Sequence, residues 1–126
     1  KKRQTVLNKC LTIQPGMYYK LHGKTNPDMG LDCSGYNAWI FKKTLNVELP
    51  SKCVDYFTIF SDSDWEKIDK SELKPGDIGV KNESTILNHC GIYAGDGKWF
   101  ETGYLYGVQL TDYNDFKYFF RIKDID

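Results

Sequence analysis

The sequence predicts an α+β fold, with N-terminal helices, among them one that starts at Cys33, packed on an antiparallel β-meander. Two observations give the order of the elements. Apolar residues in the first half recur at helical spacing. The second half is instead cut into short segments by Pro-Gly and Gly-Asp-Gly turns. A third is that aromatic residues make up 15 % of the chain, including nine tyrosines. That content suits a β-rich core or a groove lined with rings.

Residues 3 to 13 form the first expected helix, with Val6, Leu7, Cys10 and Leu11 on its apolar face. Pro15-Gly16 ends it, and residues 17 to 22 are extended or irregular. The loop 23 to 30, Gly-Lys-Thr-Asn-Pro-Asp-Met-Gly, is too rich in turn formers to be helical. Asp32 is a good N-cap, so Cys33 falls in the first turn of a helix that runs to about Lys43 or Thr44. Ala38, Trp39, Ile40 and Phe41 are almost continuous apolar residues, which suits burial on most sides. Leu49-Pro50 marks a turn. Cys53 to Phe60 fits a short helix or a strand. Trp65 to Leu73 is expected as a helical turn plus loop.

Leu73-Lys74-Pro75-Gly76-Asp77 carries the type II turn signature. It launches a strand over Ile78 to Lys81, and residues 82 to 88 are a polar loop. Asn88 to Ala94 is the next strand. Gly95-Asp96-Gly97 is a tight hairpin signal that returns the chain as Lys98 to Thr102. Val108 to Leu110 and Tyr118 to Ile122 complete the meander. At 126 residues the chain is long enough for one domain, residues 1 to 126, with one core.

Seventeen basic residues balance seventeen acidic ones. No basic face is implied, so neither nucleic acid nor an anionic membrane is expected as a partner. No apolar run approaches a membrane span. Lys1-Lys2-Arg3-Gln4 is basic, but no apolar signal core follows it. The chain therefore reads as a mature protein or an excised catalytic domain. The four cysteines, Cys10, Cys33, Cys53 and Cys90, lack C-x-x-C spacing and read as reduced thiols. Neither a metal nor a cofactor is called for. His89 and Cys90 are adjacent in a strand and point to opposite faces, so they cannot easily share an ion with Cys33.

The chemistry centres on Cys33. Backbone N–H groups and the dipole at a helix start favour a thiolate over a thiol. A cysteine nucleophile needs an imidazole within reach and a third polar group to orient that imidazole. There are two histidines, His22 and His89. His89 is the better base, since a sheet holds it more rigidly than a loop. If the hairpin bends at Asp96, Gly91 faces Glu101 and His89 lies diagonally one pair further on. Such diagonal neighbours are about 7–8 Å apart, within reach of long side chains.

Asp32-Cys33-Ser34-Gly35, the Pro75-Gly76-Asp77 turn and His89-Cys90-Gly91-Ile92-Tyr93-Ala94-Gly95-Asp96-Gly97 occur in that order. Together they resemble the NlpC family of bacterial cell-wall cysteine peptidases, which are compact papain-like domains. The resemblance spans roughly residues 5 to 122. It implies Cys33 as nucleophile, His89 as general base and Glu101 as the third residue, at a position more often His, Asn or Gln. It implies Tyr19, preferred to Tyr18, beside the cysteine, where His22-Gly23 replaces the paired glycine common in the family. Tyr19, Asp32 and Ser34 would line the subsite for the upstream end of the substrate, although Asp32 reads equally well as the helix cap alone.

The expected activity is that of a peptidoglycan endopeptidase cutting stem peptides between D-γ-glutamate and a diamino acid. The protein would be a monomer, secreted or at the cell wall, or a lytic enzyme of a phage or mobile element. Two alternatives share the fold: an N-acetylmuramoyl-L-alanine amidase or acyltransferase, and a non-catalytic wall-binding domain.

Overall fold

A computed structural model describes residues 1–12, 33–49, 64–81, 89–103 and 107–126. Helices α1 (Lys2–Thr12) and α2 (Cys33–Leu45) precede six strands: β1 (Trp65–Ile68), β2 (Ile78–Val80), β3 (Cys90–Gly95), β4 (Lys98–Gly103), β5 (Gly107–Thr111) and β6 (Tyr118–Ile122). The α+β class is therefore the observed one. The strands form one antiparallel sheet in the order β1-β6-β2-β3-β4-β5. The consecutive run β2 to β5 is the expected meander. β6 then crosses back to pair with β2 on its other side.

In α1, Val6 and Cys10 are four residues apart on one face, and both are fully buried. Leu11 was expected on that face but is 55 % exposed. The Leu7–Leu11 line lies about 100° around the helix from the Val6–Cys10 line, so it forms the margin of the buried stripe. In α2, Tyr36, Asn37, Ile40 and Phe41 are all fully buried. Asn46 ends the helix with φ 55°, a left-handed stop that Asn tolerates.

The segment from Trp65 corrects an expectation. Trp65 to Ile68 is an edge strand, not a helical turn; only Lys70–Glu72 winds into a short 3-10 turn. Its two apolar residues, Trp65 and Ile68, are three apart, a spacing that reads as helical in isolation. Antiparallel pairing with β6, from Trp65 opposite Ile122 to Ile68 opposite Phe119, overrides that local signal. The segments 17–22, 23–30, 53–60 and 82–88 lie outside the described residues.

Both sequence-predicted turns form. Asp77 N–H donates to the Lys74 carbonyl (3.1 Å), and Gly76 takes φ 98°, the conformation a type II turn requires at its third position. Asp96 and Gly97 take φ 53° and 75° between β3 and β4, a type I′ arrangement that matches strand twist.

The turn before β2 is pinned by Asp77, which is fully buried. Its carboxylate accepts from Arg3 Nη1 (3.1 Å), Arg121 Nε (3.0 Å), Arg121 Nη2 (2.8 Å) and the Lys74 backbone N–H (2.8 Å). Arg3 also donates to the Pro75 carbonyl (2.7 Å) and to Asp126. One buried acid thus ties α1, the turn and β6 together, with its hydrogen-bonding capacity well used.

The sheet buries both faces. On one, Ile78, Val80, Cys90, Ile92, Phe100 and Phe120 pack with Val6, Cys10, Tyr36, Ile40 and Phe41 of the helices. On the other, Trp99, Phe116, Phe119 and Ile68 form a smaller aromatic layer. Gly79 makes room for that layer: a Cβ there would lie 2.7 Å from the Trp99 ring and 2.9 Å from Phe116. Among the described residues no helix is long and apolar enough to cross a membrane.

Candidate active site

Helix α2 and strand β3 run side by side in the same sense. Asn37 reaches the Gly91 carbonyl at 3.5 Å. One helical turn towards the N-terminus from Asn37 is Cys33, and two residues back along the strand from Gly91 is His89. The rises match, about 6 Å for four helical residues and about 6.6 Å for two strand residues. Packing of the helix on the strand therefore carries Cys33 to His89, and the two side chains hydrogen-bond. Cys33 is the first residue of α2, as the loop-to-helix pattern predicts.

Across the hairpin, Ile92 pairs with Phe100 and Tyr93 with Trp99. Continuing that register sets Gly91 against Glu101 and leaves His89 on the diagonal. His89 Nε2 and Glu101 Oε1 are 2.8 Å apart, and both side chains are largely buried. With Nε2 committed to Glu101, Nδ1 is the nitrogen left for the thiol. The three residues expected to form the chemical centre are thus brought together.

The electrostatics of the cluster follow from burial and contact. Burial works against a charged imidazole, but hydrogen bonds to Cys33 and then Glu101, together with their charges, outweigh it and raise His89 to about 9. Burial likewise works against the Glu101 carboxylate. The hydrogen bond and charge of His89, with a further hydrogen bond from Thr111, outweigh it and hold Glu101 below its ordinary range. The arrangement favours a thiolate–imidazolium pair backed by a carboxylate. Cys10 shows the contrast: buried among apolar side chains, its thiol is pushed up to about 12.

The imidazole is also held on its faces. It stacks on Phe116 (centroids 5.6 Å apart, 17° between planes) and meets Tyr113 edge-on (5.0 Å, 67°). Thr111 Oγ1 donates to Glu101 Oε2 at 2.8 Å. Sequence reasoning missed these three residues. Tyr113 and Phe116 sit in the polar link Asp112–Lys117, whose composition gives no sign of a ring clamp. The β4–β5 register, with Trp99 opposite Thr111 and Glu101 opposite Gln109, is the signal that puts Thr111 diagonal to Glu101.

The other expected site residues divide. Ser34 is buried, 2 % exposed, and offers little surface to a ligand. Tyr19 and Asp32, like Tyr18, His22 and Cys53, lie outside the described residues. Cys90 packs in the helix-side core, whereas the His89 ring stacks on Phe116 of the aromatic layer. Among the described residues no group of three His, Cys, Asp or Glu side chains is placed to hold a metal. Cys10, Cys33 and Cys90 are thiols rather than halves of a disulfide.

Comparison with known proteins agrees with the fold and motifs. A profile of the NlpC/P60 family matches residues 16–120, and the chain belongs to that family. It is 34 % identical over 88 residues to the gamma-DL-glutamyl hydrolase of Bacillus subtilis, covering 68 % of this chain and 20 % of that protein. It is 30 % identical over 112 residues to the bifunctional muramidase/DL-endopeptidase CwlT of the same organism, covering 86 % of this chain and 31 % of that one. The chain thus spans a fifth to a third of the length of these two relatives.

Among solved structures, the NlpC/p60 domain of the peptidoglycan hydrolase SagA superposes with a TM-score of 0.79 at 19 % identity, covering 95 % of this chain and 98 % of that one. RipD of Mycobacterium tuberculosis, a non-catalytic NlpC/p60 domain protein, superposes with a TM-score of 0.75 at 20 % identity over 96 % and 97 % of the two chains. At these identities the superpositions show the fold alone.

Proposed function

We propose that residues 1–126 act as one catalytic domain, a cysteine endopeptidase that cuts peptidoglycan stem peptides between D-γ-glutamate and the following diamino acid. The observation that carries this reading is the convergence of Cys33, His89 and Glu101, in a chain whose relatives include a DL-endopeptidase and a gamma-DL-glutamyl hydrolase. A domain that only binds wall polymer has no use for a thiol held against a charged imidazole. The site of action is the bacterial cell wall.

In this mechanism the Cys33 thiolate adds to the amide carbonyl carbon, and a C–S bond forms as the carbonyl electrons move onto oxygen. Backbone N–H groups at the start of α2, that of Cys33 among them, stabilise the oxyanion. The intermediate collapses with cleavage of the C–N bond, and the His89 imidazolium delivers its proton to the departing amine. His89, now neutral, takes a proton from water as that water attacks the thioester. Release of the acid regenerates the thiolate–imidazolium pair. Glu101 keeps the imidazole oriented and favours its charged form. Tyr19 and Asp32 are proposed to face the upstream end of the stem peptide, with the buried Ser34 behind them.

Incubating the protein and a Cys33→Ala variant with purified peptidoglycan, and identifying new termini by mass spectrometry, tests the proposal. Soluble fragments with a new diamino-acid N-terminus, absent with the variant, are expected. Glycan freed of its peptide would assign an amidase instead. No release by either protein, with both sedimenting on cell walls, would assign a binding domain.

A further inference from the structure

Thr111 closes a ring of contacts around the imidazole. Its Oγ1 accepts the backbone N–H of Tyr113 two residues on (3.3 Å), a local hydroxyl-to-backbone bond common to Thr at the end of a strand. That bond occupies the acceptor side of the hydroxyl and leaves its single hydrogen for Glu101 Oε2 at 2.8 Å. The other carboxylate oxygen, Oε1, holds His89 Nε2. The Tyr113 ring, carried on the backbone that Thr111 anchors, meets the same imidazole edge-on. One hydroxyl therefore fixes two of the groups that touch His89: the carboxylate at its Nε2 end and the ring at its edge.

We infer that Thr111 is a positioning residue of the active site, a fourth member behind Cys33, His89 and Glu101 that locks the Glu101 carboxylate in the rotamer facing the imidazole. The inference rests on the endopeptidase reading of those three residues. It also accounts for how a glutamate works as the third residue. A glutamate has one more rotatable bond than an aspartate or asparagine and needs a second anchor to present one oxygen reliably. The distal oxygen of Glu101 has that anchor in Thr111, reached diagonally across the β4–β5 pairing. Among the described residues, the titratable groups facing Glu101 are His89, which precedes β3, and Cys33 of α2, while Tyr113 after β5 faces the imidazole.

The test compares Thr111→Val, which keeps the branched shape and removes the hydroxyl, with Thr111→Ser, which keeps the hydroxyl. Alkylation of Cys33 by iodoacetamide is followed across pH on the Cys33-containing peptide by mass spectrometry, alongside peptidoglycan cleavage. In the wild type the alkylation rate should show a thiolate plateau below the ordinary thiol range, with a step near pH 9 as His89 loses its proton. Thr111→Val should move that step to lower pH and reduce cleavage about tenfold, the usual scale for a lost hydrogen bond to a charged group. Thr111→Ser should restore both.

A Val variant with reduced cleavage but an unmoved step, or equal behaviour of Val and Ser, would overturn the positioning role and leave Thr111 as a strand residue. If wild-type Cys33 titrates as an ordinary thiol with no plateau, the dyad reading fails first, and the Thr111 inference with it.

Discussion

His89 Nε2 and Glu101 Oε1 lie 2.8 Å apart, joining the residue just before β3 to one in the middle of β4. The contact depends on the hairpin register, which the Asp96-Gly97 turn and the one-residue shift between Tyr93 and Gly95 set together. A slip of one residue would send Glu101 to the opposite face, into the helix-side core. The position of the third residue is therefore a property of a turn and a register shift that both lie outside the reacting centre.

Glu101→Gln keeps an oxygen that can accept from the imidazole N–H but gives up the charge, whereas Glu101→Ala removes both. A hydrogen bond between charged groups is worth about 1.5–3 kcal/mol, which corresponds to roughly 10–100-fold in rate. Glu101→Ala should fall by that factor in the release of new amino termini from purified peptidoglycan, and Glu101→Gln by less. Equal, near-wild-type rates for both variants would remove Glu101 from the site.

The charge state of His89 can be read directly. There are two histidines, so a His22→Gln background leaves one imidazole to follow by NMR. Its folded value is raised from 6.5 to about 9, so the imidazolium persists as pH rises and is lost only through pH 9. Replacing Cys33 with Ala and replacing Glu101 with Gln should each lower the midpoint, because each removes a charge that favours the imidazolium, and Cys33→Ala a hydrogen bond as well. The alkaline limb of peptidoglycan cleavage should fall near the wild-type midpoint. An imidazole titrating near 6.5 in the wild type would be incompatible with a stable thiolate–imidazolium pair.

Much of this site was legible in the sequence because it depends on local signals. A turn-rich loop before an apolar helix marked Cys33, and Gly95-Asp96-Gly97 fixed the hairpin that sets His89 diagonal to Glu101. The residues that escaped notice depend on long-range geometry. Thr111 reaches Glu101 only through β4–β5 pairing, and Phe116 reaches His89 by lying across Gly79 and Gly91. The same limit explains β1, where Trp-Glu-Lys-Ile carries helical spacing and becomes a strand only because β6 is there to pair with it.

The aromatic layer behind His89 predicts a coupling between packing and activity. A methyl group at Gly79 would sit 2.7 Å from Trp99 and 2.9 Å from Phe116, so both rings must move. Overpacking of this kind costs about 1–3 kcal/mol. Gly79→Ala should lower the urea midpoint accordingly. Because Phe116 stacks on His89, the variant should also lose peptidoglycan cleavage at temperatures where it remains folded. Unchanged stability would mean that the layer yields more easily than its contacts suggest.

Asp77 predicts the opposite separation, stability lost with chemistry intact. It is buried and accepts from both Arg3 and Arg121, but it belongs to the turn before β2 and touches none of Cys33, His89 or Glu101. Removing one partner of a buried ion pair typically costs about 3–5 kcal/mol, because the remaining charge is left without its counterion. Asp77→Ala should show a loss of that order in urea denaturation, since it removes the carboxylate that Arg121 pairs with and leaves Arg3 only Asp126, each guanidinium being only 13 % exposed. The exposed pair Lys42–Glu48, 2.7 Å apart, provides the control, and Glu48→Gln should change stability by about 0–1 kcal/mol. Measured well below its own unfolding temperature, Asp77→Asn should alkylate at Cys33 with the wild-type pH profile. If Asp77→Ala were no more costly than Glu48→Gln, the Pro-Gly-Asp turn would not brace α1 against β6. If Asp77→Asn instead shifted the Cys33 profile, the acid would be coupled to the site through α1 and β3.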